Sequence, residues 1–344
     1  MTDSVQSKLI ISSAAAGLRP GDDVLEDGEA TVETEWREVN VPVESHGARL
    51  DRALAAIVPE FSRSYLQQLI DAAAVQLNGV TVTKTSTKVK AGDDLKIELR
   101  PTPQSQAFKP EIIPLDVVFE DDHLLVINKP AGLVVHPAPG NWSGTLLNGL
   151  LARDEQVSTL PRAGIVHRLD KDTSGLMVVA RRRQVMDQLV SMIAERSVSR
   201  EYLALVHGVW QGPKGRRIEA PMGRDPRNRL RMTVVDLEKN AGKTASTDLY
   251  LLQQEGAFCL VRCRLHTGRT HQIRVHMAFI GHPLVSDEVY GGKPAAGMTR
   301  QALHACRLAF IHPVTGESLE FTAPPPEDML TALEQLGLGY NQVQ

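Results

Sequence analysis

The sequence has few cysteines, few aromatic residues and no long apolar run. Its 344 residues include 3 cysteines, Cys259, Cys263 and Cys306, which form no C-x-x-C pair. An odd number of thiols cannot pair completely, so reduced cysteines and a reducing compartment, the cytoplasm, are expected. No segment approaches the roughly 18 apolar residues of a transmembrane helix, and no signal-peptide pattern opens the chain. These absences exclude a disulfide scaffold and argue against a membrane partner.

Motifs that bind phosphate cofactors or zinc are also missing. The chain contains no G-x-x-x-x-G-K-[ST], no G-x-G-x-x-G and no zinc-type spacing. His266, His271 and His276 lie in a segment where Thr267 or Thr270 is predicted to cap a helix. Their spacing corresponds to about 500° of helical rotation, so consecutive histidines do not share a face. We therefore expect neither a metal nor a cofactor.

Charge is distributed unevenly along the chain. The net charge is −3, yet residues 1–35 contain eight acids and two bases, so the remainder carries +3. An acidic tail on a body that binds a polyanion has this asymmetry. A body charge of +3 is also ordinary, so the asymmetry is compatible with an RNA partner without requiring one.

Composition and periodicity divide the chain into an acidic disordered tail, a small α/β module, a proline-rich linker, a strand-rich domain and a C-terminal tail. In order, these parts are residues 1–36, 37–100, 101–114, 115–327 and 328–344. The small module is predicted to contain two helices, followed by a hairpin that turns at Asn78 and Gly79.

A charged loop between two apolar runs is the most unusual stretch. Gly164–Val166 and Leu176–Ala180 are interpreted as buried strands on either side of it. Between them lie two carboxylates, Asp170 and Asp172, with cations close by in sequence. Turn chemistry alone accounts for this composition; the alternative is a carboxylate held ionised at a cleft. Gly175 is expected where φ is positive or another backbone approaches closely.

The order of residues in this loop resembles the catalytic signature of the RluA-type pseudouridine synthases. The matching pattern is H-R-L-D-x-x-T-S-G at residues 167–175. Three other segments are similar to further blocks of that family: K-P-x-G-x-x-x-H-P from Lys129, L-x-T-G-R-x-H-Q-I-R-x-H from Leu265, and H-P-L-V-S-D-E-V-Y-G-G from His282. The family usually has glycine where Ser286 stands, which leaves the turn conformation there open.

The resemblance implies a fold, a reaction and a site. The fold is α+β, a mixed and mostly antiparallel sheet with flanking helices. The reaction isomerises a uridine in RNA: the bond between N1 and C1′ breaks, the base rotates, and C5 joins C1′. Asp170 is then the catalytic carboxylate, acting on C1′, on the uracil ring or on the C2′ proton. Arg274 would keep it ionised, Tyr202 would stack on the base, and Arg168 would fill the space that the base leaves in the RNA. Without the resemblance, a strand tyrosine is more often simply packed.

The small module resembles the S4 RNA-binding domain. The resemblance rests on R-L-D-x-x-L from Arg49, two helices, the Asn-Gly hairpin and a closing G-D-x-L strand. It implies that bases of the module face phosphate, while a module whose bases are only solvated remains equally possible. The candidate residues are Arg49, Arg52 and Arg63, with Lys84 and Lys88 beyond them.

A second candidate RNA surface is residues 214–231, here called the arginine arm. It carries seven bases against two acids and is interrupted by proline and glycine, so an exposed loop or hairpin is predicted. Its natural partner is phosphate, and the alternative is a solvated loop. The candidate RNA ligands are Arg224, Arg227, Arg229 and Arg231, together with Arg269 of the block that begins at Leu265.

An S4 module ahead of a catalytic domain is similar to the RluD and RluC types within the family. It implies large-subunit (23S) ribosomal RNA as substrate, at a stem-loop, either free or in a pre-ribosomal particle, and a monomer is expected. Two other classes stay open. One is an S4-bearing RNA-binding or assembly protein without turnover. The other is a carboxylate-dependent glycoside or nucleoside hydrolase, for which Asp172 is the only nearby second acid.

Overall fold

The computed structural model describes residues 35–59, 61, 63–99, 107–138, 140–228 and 231–340. The chain divides into two compact units, residues 1–105 and 106–344. The predicted tail up to residue 34 and residues 101–106 of the predicted linker lie outside the described residues. Within the described part, no helix is both long enough and apolar enough to cross a bilayer.

The first unit is a four-stranded antiparallel sheet with two helices. Its elements are β1 (Glu35–Asn40), α1 (Leu50–Ile57), α2 (Arg63–Asp71), β2 (Val75–Leu77), β3 (Val80–Thr81) and β4 (Asp94–Leu99). The strands are ordered β1-β4-β2-β3. Leu50 and Leu54 of α1, Leu66 and Ile70 of α2 and Ile97 of β4 are fully buried in one core. Apolar residues at helical spacing therefore bind both helices to the sheet.

The predicted Asn-Gly hairpin between β2 and β3 is confirmed. Asn78 and Gly79 have φ values of 50° and 77°. Two consecutive left-handed residues form the type I′ turn, whose twist matches that of the flanking strands. The unit begins earlier than the predicted start at residue 37, because the register of β1 with β4 already includes the Glu35–Leu99 pair.

The second unit is built on a nine-stranded sheet. Its elements are β5 (Val117–Glu120), β6 (Leu124–Lys129), α3 (Leu146–Arg153), β7 (Ser174–Ala180), α4 (Arg183–Ala194), β8 (Ser199–His207), β9 (Gly215–Glu219), β10 (Met222–Arg224), β11 (Met232–Val234), β12 (Ser246–Glu255), β13 (Phe258–Leu265), α5 (Gln272–Phe279), β14 (Leu303–Ile311), β15 (Ser318–Thr322) and α6 (Glu327–Gln335). The strands follow the order β5-β6-β7-β14-β8-β13-β12-β9, β15 pairs with β14, and β10 and β11 form a separate hairpin.

The predicted α+β fold with a mixed, mostly antiparallel sheet is confirmed. Among the described strands only β7 and β14 run parallel, and every other pairing is antiparallel. Alternation along β8 sends Tyr202, Ala204 and Val206 into the core beneath α3 and α5, and Leu203 and Leu205 into the core beneath α6. The two faces of the sheet are therefore covered by different helices.

The predicted strand at Gly164–Val166 is wrong. Pro161–Gly164 forms a tight turn in which Arg162 and Ala163 have left-handed φ values of 55° and 51°, and an isolated bridge joins Ile165 to Val179. Gly164 has a φ of 78°, and a Cβ there would lie 1.9 Å from the carbonyl oxygen of Ala180. The chain therefore crosses the end of β7 at close range instead of pairing with it through a ladder of strand hydrogen bonds.

The two segments predicted as a linker and a C-terminal tail both contain packed residues. Ala107 is buried, and its carbonyl accepts a hydrogen bond from the amide of Asn148. Residues 328–344 were predicted to be a tail, but α6 starts at Glu327 and buries Met329, Ala332 and Leu333. Apolar residues spaced three and four apart form a helical stripe, which packs on the sheet.

Candidate active site

Asp170 lies in a tight loop that leads into β7. The backbone N–H of Thr173 donates to the carbonyl of Asp170 at 3.1 Å, which closes a turn over Lys171 and Asp172. The carbonyl of Asp172 accepts a hydrogen bond from Nη1 of Arg300 at 2.9 Å. Asp172 therefore forms part of the turn that presents Asp170.

A buried lysine anchors the same loop. Lys129 is 1% exposed, and its Nζ donates to the carbonyls of Pro130, Leu133 and Lys171 at 2.7, 2.9 and 2.9 Å. Burial lowers the pKa of Lys129 to about 8, while the negative charge of Asp172 acts to raise it. The ammonium thus predominates at neutral pH and ties two loops together with three hydrogen bonds.

Gly175 is the close-approach position that the sequence predicts. Its φ is 114°, and a Cβ at this residue would lie 2.3 Å from the carbonyl oxygen of Ala305. The contact occurs where β7 and β14 run parallel, with Gly175 opposite Ala305. A side chain here would separate the two strands and displace the loop that carries Asp170.

Helix α5 brings Arg274 to Asp170. Nη1 of Arg274 donates to Oδ2 of Asp170 at 3.1 Å, while Nε and Nη2 donate to Asp287 at 2.7 and 2.8 Å. The side chains of Arg274 and Asp287 are 7% and 1% exposed, and that of Asp170 is 18% exposed. Burial alone would lower the pKa of Arg274, but its bonds to Asp287 and Asp170 raise it above its ordinary value. The guanidinium therefore stays charged beside Asp170.

The residue that caps α5 differs from the predicted threonine. His271 is the N-cap, with a left-handed φ of 57°, and makes no side-chain cap hydrogen bond. The hydroxyl of Thr267 donates to Oε1 of Gln272 at 2.7 Å, and the N–H of Arg269 donates to the same oxygen. Gln272 thus folds back onto the preceding loop, so the threonine hydroxyl is not available to the helix.

His271 links Asp170 to Tyr290. Nε2 of His271 lies 3.8 Å from Oδ1 of Asp170, and Nδ1 lies 2.8 Å from the Tyr290 hydroxyl. That hydroxyl accepts the backbone N–H of Met232, and with the His271 proton on Nε2 it can donate its own proton to Nδ1. The guanidinium of Arg274 lies 5.0 Å from the centre of the Tyr290 ring. Burial lowers the pKa of His271, so the ring is neutral.

Tyr202 lies on β8, on the face of the sheet that α5 covers. It is 6% exposed, and burial raises the pKa of its hydroxyl to about 12. The charge of Arg200 opposes this shift, and the charge of Asp170 adds to it. The phenol is therefore protonated at neutral pH, and the structure brings it near both the carboxylate and a second arginine.

The candidate RNA ligands of the arginine arm occupy different settings. The arm contributes β9 to the edge of the large sheet and β10 to the separate hairpin. Arg224 and Arg227 are exposed, whereas Nε of Arg231 donates to Asp225 at 2.7 Å. Arg229 lies outside the described residues. The prediction of a hairpin is confirmed for β10 and β11, while β9 belongs to the sheet.

The remaining candidate ligands are Arg168, Arg269 and the arginines of the first unit. Arg168 is exposed in the Asp170 loop, and Nε of Arg269 donates to the carbonyl of Thr244. Arg52 is exposed on α1.

Arg49 and Arg63 share one buried carboxylate. Arg49 donates to Asp51 at 3.0 Å and Arg63 at 2.7 Å, and Gln67 donates to the same carboxylate. Burial alone would raise the pKa of Asp51, but these hydrogen bonds hold it well below its ordinary value. Both guanidinium groups remain about half exposed, so Asp51 fixes their direction while leaving them accessible.

Ser286 adopts the conformation that the resemblance associates with glycine. Its φ is 61°, and its hydroxyl donates to the carbonyl of Met298 at 2.7 Å. The turn is therefore preserved despite the departure, because the hydrogen bond holds a left-handed serine in place. The next residue is Asp287, so this turn also sets the position of the carboxylate on Arg274.

Two family profiles match the chain. The family described as "RNA pseudouridylate synthase" matches residues 123–279, which include Asp170, Tyr202 and Arg274. The "S4 domain" matches residues 48–95. A Neisseria meningitidis serogroup A protein named "Ribosomal large subunit pseudouridine synthase D" is 47% identical over 324 residues, which cover 91% of this chain and 85% of that protein. The chain belongs to the RNA pseudouridylate synthase family.

Other relatives agree with this assignment. A Bacillus subtilis protein named "Uncharacterized RNA pseudouridine synthase YlyB" is 43% identical over 302 residues, covering 87% of this chain and 97% of that protein. The solved structure titled "Human RNA Pseudouridylate Synthase Domain Containing 4" shares the fold, with a TM-score of 0.53 at 24% identity over 65% of this chain and 94% of that one. This chain is thus an RNA pseudouridine synthase with an S4 domain ahead of its catalytic domain.

Several residues of the synthase site were quoted in the sequence blocks without a role. Asp287 and Tyr290 belong to the block that begins at His282, and Lys129 opens another block. The three evenly spaced histidines have separate partners, namely Asp248 for His266, Tyr290 for His271 and Thr247 for His276. Only the tertiary structure shows that His266 makes its contact at the edge of the sheet, His271 in the site and His276 in the core.

Proposed function

We propose that this synthase converts uridines of large-subunit ribosomal RNA to pseudouridine, with Asp170 as the catalytic carboxylate. The names of its relatives and its S4 domain support the choice of substrate. The catalytic assignment rests on one observation, the 3.1 Å contact between Nη1 of Arg274 and Oδ2 of Asp170. A fixed guanidinium at this distance orients the carboxylate for its part in the reaction.

The geometry supports a division of roles around the target nucleotide. Asp170 would attack C1′ or the uracil ring, or take the C2′ proton, and each route requires the carboxylate to be ionised. Tyr202, neutral and next to this charge, would stack on the base. Arg274 would hold the carboxylate throughout, since its other two nitrogen atoms are bound to Asp287. No redox partner or phosphate donor enters the overall isomerisation.

The base must leave its stack to reach this site. Extrusion costs a few kcal/mol and is easiest in loops and unpaired regions, so a stem-loop is the proposed target. Arg168, exposed in the loop of Asp170, would occupy the space that the base vacates. Phosphate contacts would offset the cost. We assign these contacts to Arg224, Arg227, Arg229, Arg231 and Arg269, and in the S4 domain to Arg49, Arg52 and Arg63.

We further propose that the enzyme acts in the cytoplasm as a monomer, on free ribosomal RNA or on a pre-ribosomal particle. Cys259, Cys263 and Cys306 are free thiols, which suits a reducing compartment.

The direct test compares Asp170→Asn with Asp172→Asn. Each protein is incubated with unmodified ribosomal RNA, and pseudouridines are mapped. We expect the wild type and Asp172→Asn to modify large-subunit RNA and Asp170→Asn to leave it unmodified. Equal modification by both variants would contradict the catalytic assignment. RNA binding without modification by the wild type would favour a binding protein, and release of free uracil would favour a hydrolase.

The role of the arginine arm is tested by salt titration of RNA affinity. The wild type should lose affinity steeply with salt, and neutralising Arg224, Arg227, Arg229 and Arg231 together should reduce the slope of log K against log salt by about 3. Arg183→Gln, an exposed arginine of α4, serves as the control and should leave the slope unchanged. A flat response of the wild type would refute the role of the arm.

A further inference from the structure

Arg200 is a buried cation that has no ion-pair partner among the residues that the structure describes. It is 5% exposed, its Nε has no hydrogen-bond acceptor, and no carboxylate pairs with it among the described residues. The neighbouring Glu201 projects from the other face of β8 and pairs with Arg307 at 3.1 Å. Strand alternation therefore places Arg200 on the face of Tyr202 and separates it from the nearest acid in sequence.

An unpaired buried charge lowers the stability of the fold. Such a group is accounted for when a ligand completes its hydrogen bonds. Asp170 does not fill this role, because it is bound to Arg274.

The surroundings of Arg200 belong to the active site. Its charge lowers the pKa of the Tyr202 hydroxyl against the effect of burial, and it adds to the effect of burial on His167 in the Asp170 loop. A Cβ at Gly268, in the segment before α5, would lie 3.0 Å from Nη1 of Arg200. Three parts of the site therefore meet at this guanidinium.

We propose that the Arg200 guanidinium binds a carbonyl oxygen of the extruded uracil and stabilises the negative charge of the base when its bond to C1′ breaks. This inference rests on the proposed function. The base is the part of an extruded nucleotide that enters the pocket, while its phosphates stay with the RNA backbone at the rim. A side chain as deeply buried as Arg200 is therefore reached by the base.

The charge arises in the first half of the reaction. As the bond between C1′ and N1 breaks, its electron pair goes to N1 and spreads over O2 and O4. C1′ bonds to a carboxylate oxygen of Asp170, or C2′ gives up a proton to it. C5 then forms its bond to C1′ as the bond from C1′ to the carboxylate oxygen breaks or, on the other route, as the carboxylate returns the proton to C2′. The proton of C5 leaves as N1 regains one, so the reaction remains an isomerisation. A cation binds the anionic base more strongly than the neutral base, so Arg200 lowers the barrier more than it improves binding.

The test uses Arg200→Met, Arg200→Lys and the control Arg262→Met, on the opposite face of the sheet. Single-turnover conversion of the target uridine should fall about 100-fold or more in Arg200→Met. RNA affinity should stay within about threefold, because most of it comes from phosphate contacts. Arg200→Lys should recover part of the rate, and Arg262→Met should resemble the wild type. The thermal midpoint of Arg200→Met should stay level or rise, because an uncompensated charge is removed.

Sulfur substitution at the target base identifies the contact, because sulfur is a weaker hydrogen-bond acceptor than oxygen. The target uridine is replaced by 2-thiouridine or by 4-thiouridine. One of the two thio bases should slow conversion by the wild type but should not lower the rate of Arg200→Met any further. Three results would overturn the inference: wild-type turnover by Arg200→Met, equal sensitivity of both proteins to both thio bases, or a loss of RNA affinity that matches the loss of rate. A wild type that makes no pseudouridine would contradict the proposed function instead.

Discussion

Asp287 binds Nε and Nη2 of Arg274 and leaves Nη1 free to contact Asp170. A two-point contact between a planar guanidinium and a carboxylate fixes both direction and distance. Asp287 is 1% exposed, so solvent does not compete for these bonds. The proposed catalytic carboxylate, Asp170, is thus oriented through Arg274 by a second carboxylate, and we expect Asp287 to act as a positioning residue.

Replacing Asp287 with asparagine should loosen this arrangement. The amide supplies one acceptor instead of two and leaves the buried Arg274 charge poorly paired, so we expect a loss of about 3 kcal/mol in unfolding free energy. The single-turnover rate should fall at least tenfold, while RNA affinity changes little. Glu320→Gln is the matched control, since Glu320 pairs with Arg307 through two bonds of 2.8 Å but is 55% exposed. A normal rate in Asp287→Asn would contradict the positioning role.

Tyr290→Phe removes one hydroxyl and keeps the ring near Arg274. His271 would lose its hydrogen-bond partner at Nδ1, and the N–H of Met232 would lose its acceptor. We expect a rate about tenfold lower and a stability loss of about 1 kcal/mol. The pH–rate profile and urea unfolding measure the two effects. Tyr250→Phe is the control, because that ring also lies near an arginine, Arg262, away from the site. Equal effects of the two substitutions would exclude a specific role for Tyr290.

Lys129→Met should uncouple the Asp170 loop from its neighbour. The substitution removes three donors to backbone carbonyls while keeping an apolar chain of similar length. Because the carbonyl of Lys171 loses its tether, we expect the rate to fall about 100-fold. Lys171→Met is the control, since it retains that carbonyl and changes only an exposed side chain. The two single-turnover rates should differ widely, and similar rates would show that the tether is dispensable.

His304 makes stability depend on pH. It is buried between the Ser174 hydroxyl and the carbonyl of Ala323, and burial lowers its pKa from 6.5 to about 4. As pH falls below 6.5, His304 becomes protonated in the unfolded chain, whereas in the folded protein it stays neutral until about pH 4. Stability from this group is therefore lost across that window, by up to about 1.4 kcal/mol per pH unit.

Urea unfolding of the wild type and His304→Gln measures this term. The variant should show a shallower fall in unfolding free energy between pH 6 and 4.5, with parallel curves between pH 7 and 8. Identical slopes across the acid range would exclude His304 as the source.

Local patterns predicted much of the fold because they depend on near neighbours. The turn at Asn78 and Gly79 requires two left-handed residues, and the sequence supplies the pair that tolerates them. The prediction failed at Gly164–Val166, where the nearby carbonyl of Ala180 determines the path. It failed again at the cap of α5, where Gln272 accepts the hydroxyl hydrogen bond of Thr267. In both cases the backbone path or the helix cap depends on a contact with one particular atom, and sequence periodicity does not predict such contacts.

The sequence by itself determined the family, the order of the two domains and the residue types of the site, because motifs and alternation are local. Local patterns left Asp170 and Asp172 as neighbours of similar chemistry, and the resemblance singled out Asp170. Only the tertiary structure decided their contacts, since Arg274 reaches Asp170 across 104 residues while the carbonyl of Asp172 accepts a hydrogen bond from Arg300. The strand order β7-β14-β8 brings the loop, Tyr202 and Arg200 together. Distances between remote side chains depend on such strand pairing, and so does the isolation of Arg200 from every carboxylate in the described part of the chain.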